Sequence, residues 1–387
     1  MEDTLKSVAT ESVPTPAYTF DTDCFRERVC HVAQALPGIP LTYSIKANPF
    51  LLHRLPEALN YVEVCSPGEL DICIHAGIPG ARIIYSGVNK EYADITAALT
   101  YGVAIATAES LKHLRIESNV AVELGITQRV ILRLTSGNQF GMSEEDLFSA
   151  LAAPETYPNL DIVGLHYYSG TQKKTRQIDK DFDCLRRVLE TAKAQYGFIP
   201  KLVEYGPGLP VSYFSDTYAE EETAALNDFA ERARAFAQEY PLGIEMGRFL
   251  ATPCGTYATR VMDIKTNGDI TYVICDGGIH HIKYYGQMMA MQVPPIEVLH
   301  PATENKYPYC LCGSLCTVAD VLVRQVELPA LHEGDILLFK RCGAYSITEN
   351  SALFLSRNLP QVFTYSQSEG LIQMRGTIQA SEINRPL

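Results

Sequence analysis

The 387-residue chain carries 32 Lys and Arg against 45 Asp and Glu, a net charge of −13, with 47% hydrophobic and 20% charged residues. These are ordinary proportions for a globular protein, and the acidic excess, with no local basic patch, argues against nucleic acid or an anionic membrane as partner. No apolar run approaches the ~20 residues that a membrane-spanning helix needs.

The opening MEDTLKSVATESVPTP has no cationic stretch leading into an apolar core, so no signal peptide is expected and the cytoplasm is the expected location. Eleven cysteines scattered along such a chain fit reduced thiols. Cys310-Leu-Cys312 with Cys316 is the tight cluster, and it lacks the two-plus-two spacing of a zinc site, so no metal is expected.

In chain order, short apolar runs rich in β-branched residues fall at Leu41–Ile45, Tyr61–Cys65, Arg82–Ser86, Val103–Thr107, Val130–Leu134, Asp161–Tyr167, Lys201–Tyr205 and Leu242–Glu245. Helix-like segments such as Tyr92–Tyr101, Glu144–Ala152, Asp179–Tyr196 and Glu220–Tyr240 lie between them. This alternation predicts an α/β fold with a parallel sheet, and eight units predict a closed (β/α)8 TIM-type barrel. An open doubly wound sheet is the alternative; the count of eight and the lack of an early Gly-x-Gly-x-x-Gly favour the barrel. After Arg248 helix periodicity fades. Thr256–Ile264, Ile270–Cys275, Asp320–Glu327 and Asp335–Phe339 read as strands, and Asn267-Gly268 reads as a hairpin turn. The expected division is a barrel over 22–250 and a C-terminal, mainly antiparallel β domain over 251–387, joined by 1–21.

Reactive residues of such barrels gather at the C-terminal strand ends. The first strand ends in Tyr43-Ser-Ile-Lys46-Ala-Asn48. Alone, a strand-end lysine reads as solvated surface; desolvated in a barrel mouth, it becomes an imine-forming amine. The sixth strand ends in His166-Tyr-Tyr-Ser169-Gly, the seventh in Glu204-Tyr-Gly206-Pro-Gly208, and the eighth in Glu245-Met-Gly247-Arg248. Glycines after the seventh strand and an arginine after the eighth fall where barrels build phosphate sites, with bare backbone N–H groups and a guanidinium fork as donors. Gly206-Pro-Gly208 alone reads as a tight turn, the more common use; its coincidence with Arg248 on the next strand points to the phosphate site. Glu245 offers the carboxylate that a pyridinium nitrogen needs, although a buried Glu beside an Arg also serves as a structural pair.

Together these motifs resemble the alanine-racemase-type barrel enzymes, and within them the diaminopimelate, ornithine and arginine decarboxylases, over nearly the whole chain. Tyr43-Ser-Ile-Lys46-Ala-Asn48 resembles the motif of the cofactor lysine, Cys65-Ser-Pro-Gly68-Glu69-Leu a Gly-Glu-Leu segment, and Glu245-Met-Gly247-Arg248 a Glu-Pro-Gly-Arg motif with Met246 for proline. The resemblance implies pyridoxal 5'-phosphate (PLP) as a Schiff base on Lys46. It places His166 against the ring, Ser169, Gly206, Gly208, Gly247, Arg248 and Tyr345 at the phosphate, and Glu245 at the ring nitrogen. Asp276-Gly-Gly278, Cys316 and Gly343-Ala-Tyr345 also have counterparts. It further implies a homodimer with shared active sites, where Cys316 crosses from the partner to reprotonate the substrate. On residue chemistry alone Cys316 reads as a packing residue rather than a catalytic one.

The implied reaction is removal of the α-carboxylate from an amino acid or amino-acid conjugate. Where diaminopimelate and ornithine decarboxylases follow the cysteine with Glu or Asp, Thr317 stands here, so the partner for a distal ammonium is missing. Gln139-Phe-Gly141 replaces a Lys-Phe-Gly, with Arg133 upstream retained. The run Asp276-Gly-Gly-Ile-His280-His281-Ile-Lys283 and the segment Cys316-Thr-Val-Ala-Asp320 look closer to decarboxylases of secondary metabolism. Those act on carrier-protein-bound or citryl-conjugated amino acids. Arg133, Asp276, Lys283 and Thr317 are the candidate substrate contacts, with Arg357 as a second cation for a substrate carboxylate. Diaminopimelate decarboxylase, an amino-acid racemase and a non-catalytic PLP carrier are the alternatives.

Overall fold

The structure is a computed structural model and describes residues 13–386. The described chain opens with strand β1 (Ala17–Asp21) and helix α1 (Thr22–Ala35). It divides into two compact units: 28–211 with 219–250, and the residues up to Glu27 with 212–218 and 251 onward.

The first unit is a closed barrel of eight parallel strands, β2 (Leu41–Ser44), β3 (Tyr61–Val64), β4 (Ile83–Tyr85), β5 (Ile105–Ala108), β6 (Gln128–Arg133), β7 (Leu160–Tyr168), β8 (Leu202–Gly206) and β9 (Leu242–Met246). Each strand pairs with its sequence neighbour, and β9 closes on β2 with Thr42 opposite Glu245. A parallel barrel strand is covered on both faces, so it reads as a continuous apolar run; β2, β4, β5, β8 and β9 are buried at every position. Ile84, Ile105, Ile131, Val163 and Leu202 form a layer of the core.

Between these strands run α2 (Pro67–His75), α3 (Tyr92–Tyr101), α4 (Leu111–Leu124), α5 (Glu144–Ala152), α6 (Thr175–Tyr196) and α7 (Tyr218–Ala237). Ser66, Ser110 and Ser143 cap α2, α4 and α5 by accepting a backbone N–H three residues on. Gly102 and Gly125 end α3 and α4 in the left-handed conformation. Sequence periodicity finds α3, α5, α6 and α7 but not α1, α2 or α4. In those three, Cys, His, Arg and Glu interrupt the apolar stripe.

The other unit is a nine-stranded, mostly antiparallel sheet. Its path runs β14 (Val321–Pro329), β13 (Lys306–Cys312), β11 (Ile270–Cys275), β10 (Gly255–Asn267), β1, β16 (Gln361–Ser366), β17 (Gly370–Arg375). Strands β12 (Ile296–Val298) and β15 (Ile336–Lys340) pair beside β10. Two pairings, β1 with β16 and β11 with β13, are parallel. Asn267 faces Ile270 across the turn that the Asn-Gly pair predicts, with Gly268 at φ 62°. Short helices α8 (Arg248–Ala251) and α9 (Ala380–Asn384) complete the regular elements named here. No described helix is long and apolar enough to cross a membrane.

Candidate active site

The barrel's C-terminal strand ends gather the polar residues that its core excludes. Strand β2 stops at Ser44, and a single 3-10 turn, Ile45–Ala47, carries Lys46 while burying Ile45 and Ala47 on either side. Asn48 then caps the next turn through the Phe50 N–H at 3.0 Å, and the Tyr43 hydroxyl donates to the Asn48 carbonyl at 2.9 Å. Lys46 is thereby held on a rigid platform with its side chain 38% exposed.

Its Nζ lies 3.0 Å from Glu63 Oε2, 3.7 Å from Glu245 Oε1 and 3.3 Å from Cys65 Sγ. Lys46 is therefore not simply desolvated in the barrel mouth, as expected from sequence: two carboxylates compensate its charge. Glu63 and Cys65 were missed as site residues, although a carboxylate inside the apolar run Tyr61–Cys65 is itself a signal. The Cys65 thiol donates to Glu63 Oε1 at 2.8 Å. Burial, with Glu63 beside it, pushes that thiol far up, so it stays protonated.

Glu245 is fixed at both oxygens. Ser44 Oγ donates to Oε1 at 2.7 Å, and His166 Nε2 lies 3.0 Å from Oε2. Burial opposes its ionisation, but Lys46 and the His166 and Ser44 bonds outweigh it and hold the carboxyl well below the usual range. Glu204, next to His166 across the β7–β8 ladder, meets the opposite fate. Burial pushes it up to about 8, with nearby Glu245 and Glu63 adding to the rise. The site thus holds an anionic Glu245 and a Glu204 that is neutral at neutral pH.

Around the rim, Ser169 Oγ donates to Asp181 and receives Lys173 Nζ at 3.1 Å. A Cβ on Gly206 would lie 2.5 Å from the Tyr168 ring, and one on Gly208, at φ 54°, would lie 2.0 Å from the Gly170 carbonyl oxygen. Only glycine fits at both positions. A Cβ on Gly247 would crowd Ala47 Cβ at 3.0 Å. Arg248 begins α8 directly after β9, half-buried, close enough to act on the Tyr168 phenol together with Lys46 and Glu245.

Other expected contacts have settled partners. Arg133 donates to buried Glu109 at 2.7 Å and covers the Phe140 ring, while the Gly141 N–H donates to the second Glu109 oxygen. Its charge is spent on organising that loop. In the β unit, Asp276 accepts from Thr15, Thr259 and the Arg260 N–H, three donors that make it a structural anchor. Lys283 is 56% exposed, 4.0 Å from Glu349, and the two line a cleft of about 270 Å³ with Tyr284 and Phe339. Cys316 is exposed and Thr317 half-buried. Tyr345 sits at φ 65°, a conformation that a non-glycine residue keeps only where its surroundings enforce it. Arg357 donates to the Ser314 carbonyl near Cys316. Among the described residues no three His, Cys, Asp or Glu side chains cluster as a metal site.

The residues present fit PLP. His166 Nδ1 is buried without a hydrogen-bond partner, a sign that a further polar group belongs beside it. A lysine amine, an anionic carboxylate and a glycine-lined rim with a hydroxyl and a guanidinium supply the donor set that the aldehyde, ring nitrogen and phosphate of PLP need.

Similarity to known proteins agrees. Residues 22–252 match the family described as pyridoxal-dependent decarboxylase, pyridoxal binding domain. The chain is 28% identical to the L-glutamyl-[BtrI acyl-carrier protein] decarboxylase of Niallia circulans, over 95% of this chain and 93% of that protein. It is 25% identical to the 2-[(L-alanin-3-ylcarbamoyl)methyl]-2-hydroxybutanedioate decarboxylase of Staphylococcus aureus, over 94% and 98%. A crystal structure of diaminopimelate decarboxylase from Helicobacter pylori complexed with L-lysine superposes with a TM-score of 0.84 at 22% identity, covering 99% of this chain and 98% of that one, and shares the fold. The chain belongs to the pyridoxal-dependent decarboxylases, and its cofactor is PLP.

Proposed function

We propose that the protein removes the α-carboxylate of an amino acid presented within a larger conjugate, with PLP held covalently through Lys46 Nζ. The carrying observation is the chain of contacts from Lys46 to Glu245 and from Glu245 to Ser44 and His166. When bound, PLP supplies the sink for the electron pair left as CO2 departs.

The chain's own residues do the rest. Glu245, anionic and pinned at both oxygens, holds a proton on the group it faces. His166 and Ser44 keep its carboxylate plane fixed, so no reorganisation is needed as charge develops. Ser169, with its hydroxyl turned from Asp181, the Gly206 and Gly208 backbone and Arg248 would hold the phosphate. Neutral Glu204 adds no second negative charge beneath them.

Two features support a homodimer in which Cys316 and Tyr345 from a second copy complete the site. Cys316 is exposed, and Val318, two residues on, is 100% exposed, so this segment is free to meet a second copy. Cys316 then delivers a proton to the substrate α-carbon. The conjugate reading rests on Thr317, which offers no charge to a distal ammonium, and on the likeness to two decarboxylases named for conjugated substrates. Lys283 and Arg357 are the cations that the β unit offers to a substrate carboxylate. All eleven cysteines are free thiols, which supports a cytoplasmic setting.

The test is CO2 release by the PLP-loaded protein from a glutamyl group on an acyl-carrier protein, a citryl-diamino acid conjugate and free diaminopimelate. Turnover of a conjugate with little of the free diamino acid is expected. Faster turnover of free diaminopimelate overturns the conjugate reading and leaves a diaminopimelate decarboxylase.

A further inference from the structure

Behind the candidate phosphate rim lies a lysine that the mechanism above does not use. Lys173 is 2% exposed at its side chain. Its Nζ reaches Asp181 Oδ2 at 2.7 Å, the Gly206 carbonyl at 3.0 Å, Ser169 Oγ at 3.1 Å and the Tyr205 hydroxyl at 3.2 Å. Its backbone N–H donates to the Gly208 carbonyl at 2.9 Å. One residue therefore joins both segments of the rim, the stretch after β7 and the glycine turn after β8. The next residue back strengthens the seam: Gln172 exchanges side-chain bonds with the Val211 carbonyl and N–H at 3.0 and 2.6 Å.

Burying an ammonium is costly unless it is paired and hydrogen-bonded. Asp181 pairs it, but Asp181 also takes the Ser169 hydroxyl at 2.9 and 2.7 Å and the Tyr205 hydroxyl at 2.8 Å. A purely structural ion pair needs neither rim segment. The rim also has a deficit that a cation would offset. The turn is Gly206-Pro207-Gly208, and Pro207 has no N–H to give a phosphate.

We propose that Lys173 is a positioning residue for the cofactor phosphate. It draws the Gly206 carbonyl inward, away from the anion, fixes Ser169 Oγ, and places a buried positive charge behind a turn that Pro207 leaves short of a donor. It does not touch the phosphate; it acts through Ser169 and the turn. The inference rests on the reading of this rim as the phosphate site.

The test compares binding of PLP with binding of pyridoxal, which has the same ring and aldehyde and no phosphate, followed by absorbance and equilibrium dialysis. The unsubstituted protein should bind PLP far more tightly than pyridoxal; equal affinities would sink the assignment of the rim itself, not that of Lys173 alone. Lys173→Met should raise the Kd for PLP by about tenfold or more and leave the Kd for pyridoxal unchanged. Lys173→Gln, which keeps a donor and fills the space with less packing loss, should fall between. The 31P resonance of bound PLP should titrate at higher pH in both variants, because the cation that favours the dianion is gone. If Lys173→Gln weakens PLP and pyridoxal equally, or leaves the ratio and the 31P titration unchanged, the role is structural and the proposal fails.

Discussion

Ser44 Oγ, at the end of the first barrel strand, donates to Glu245 Oε1 on the last strand at 2.7 Å. This bond spans the seam where β2 and β9 close the barrel, so the closure that makes the fold also aims the carboxylate. Glu245→Gln keeps the shape and removes the charge. The expected result is retained PLP with kcat lower by roughly 100-fold or more, read from cofactor absorbance alongside CO2 release. An unchanged kcat would remove Glu245 from the chemistry.

Glu204 ties the site to stability. Its carboxyl rises from an ordinary 4.5 to about 8 through burial, so between these values the folded chain holds a proton that the unfolded chain has lost. The stability gained by keeping it neutral is fully present below about pH 4.5 and is lost as pH rises through about 8. Glu204→Gln cannot ionise. The variant's stability relative to the unsubstituted protein should rise with pH across that window and level off above it, by on the order of a few kcal/mol. Urea unfolding near the two ends of the window checks this, and a difference that does not change with pH contradicts it.

The sheet unit has its own fixed point. The Asp320 carboxylate accepts from the Ile279 and Leu315 N–H groups at 2.8 and 2.7 Å, and its backbone carbonyl accepts from Gly313. A Cβ on Gly278 or Gly313 would lie within 2.6 Å of its oxygens, so Gly278 and the segment before Cys316 are packed around one side chain. Asp320→Ala leaves two backbone donors unpaired and should cost about 2–4 kcal/mol of unfolding free energy. Asp320→Asn should cost less, because it keeps one acceptor. Denaturant unfolding of both variants tests the ordering.

The barrel was legible because its strands are buried on both faces and alternate with helices. Among the strands missed, β13 contains Pro308 and exposed Lys306 and Tyr307, and β1 takes its pairing from β10 and β16, both more than 200 residues away in sequence. The strand-end motifs brought out Lys46, His166, Ser169 and Glu245, since a polar residue at the end of an apolar run is conspicuous, while Glu204 passed as part of its strand. Lys173 was not legible. In Lys173-Lys174-Thr-Arg it reads as solvated surface, and only the fold carries Asp181 and Tyr205 to it. Arg133 and Asp276 came from the family resemblance, and sequence could not say that Glu109 and the threonines take up their bonding capacity.

Lys46 as the point of cofactor attachment is the claim on which the rest depends. Borohydride reduction of the PLP-loaded protein, followed by peptide mapping by mass spectrometry, reads it directly. The pyridoxyl group is predicted on Lys46 and to be absent after Lys46→Ala. A label on Lys173 or another lysine, or no covalent label in a protein that binds PLP, would contradict the account.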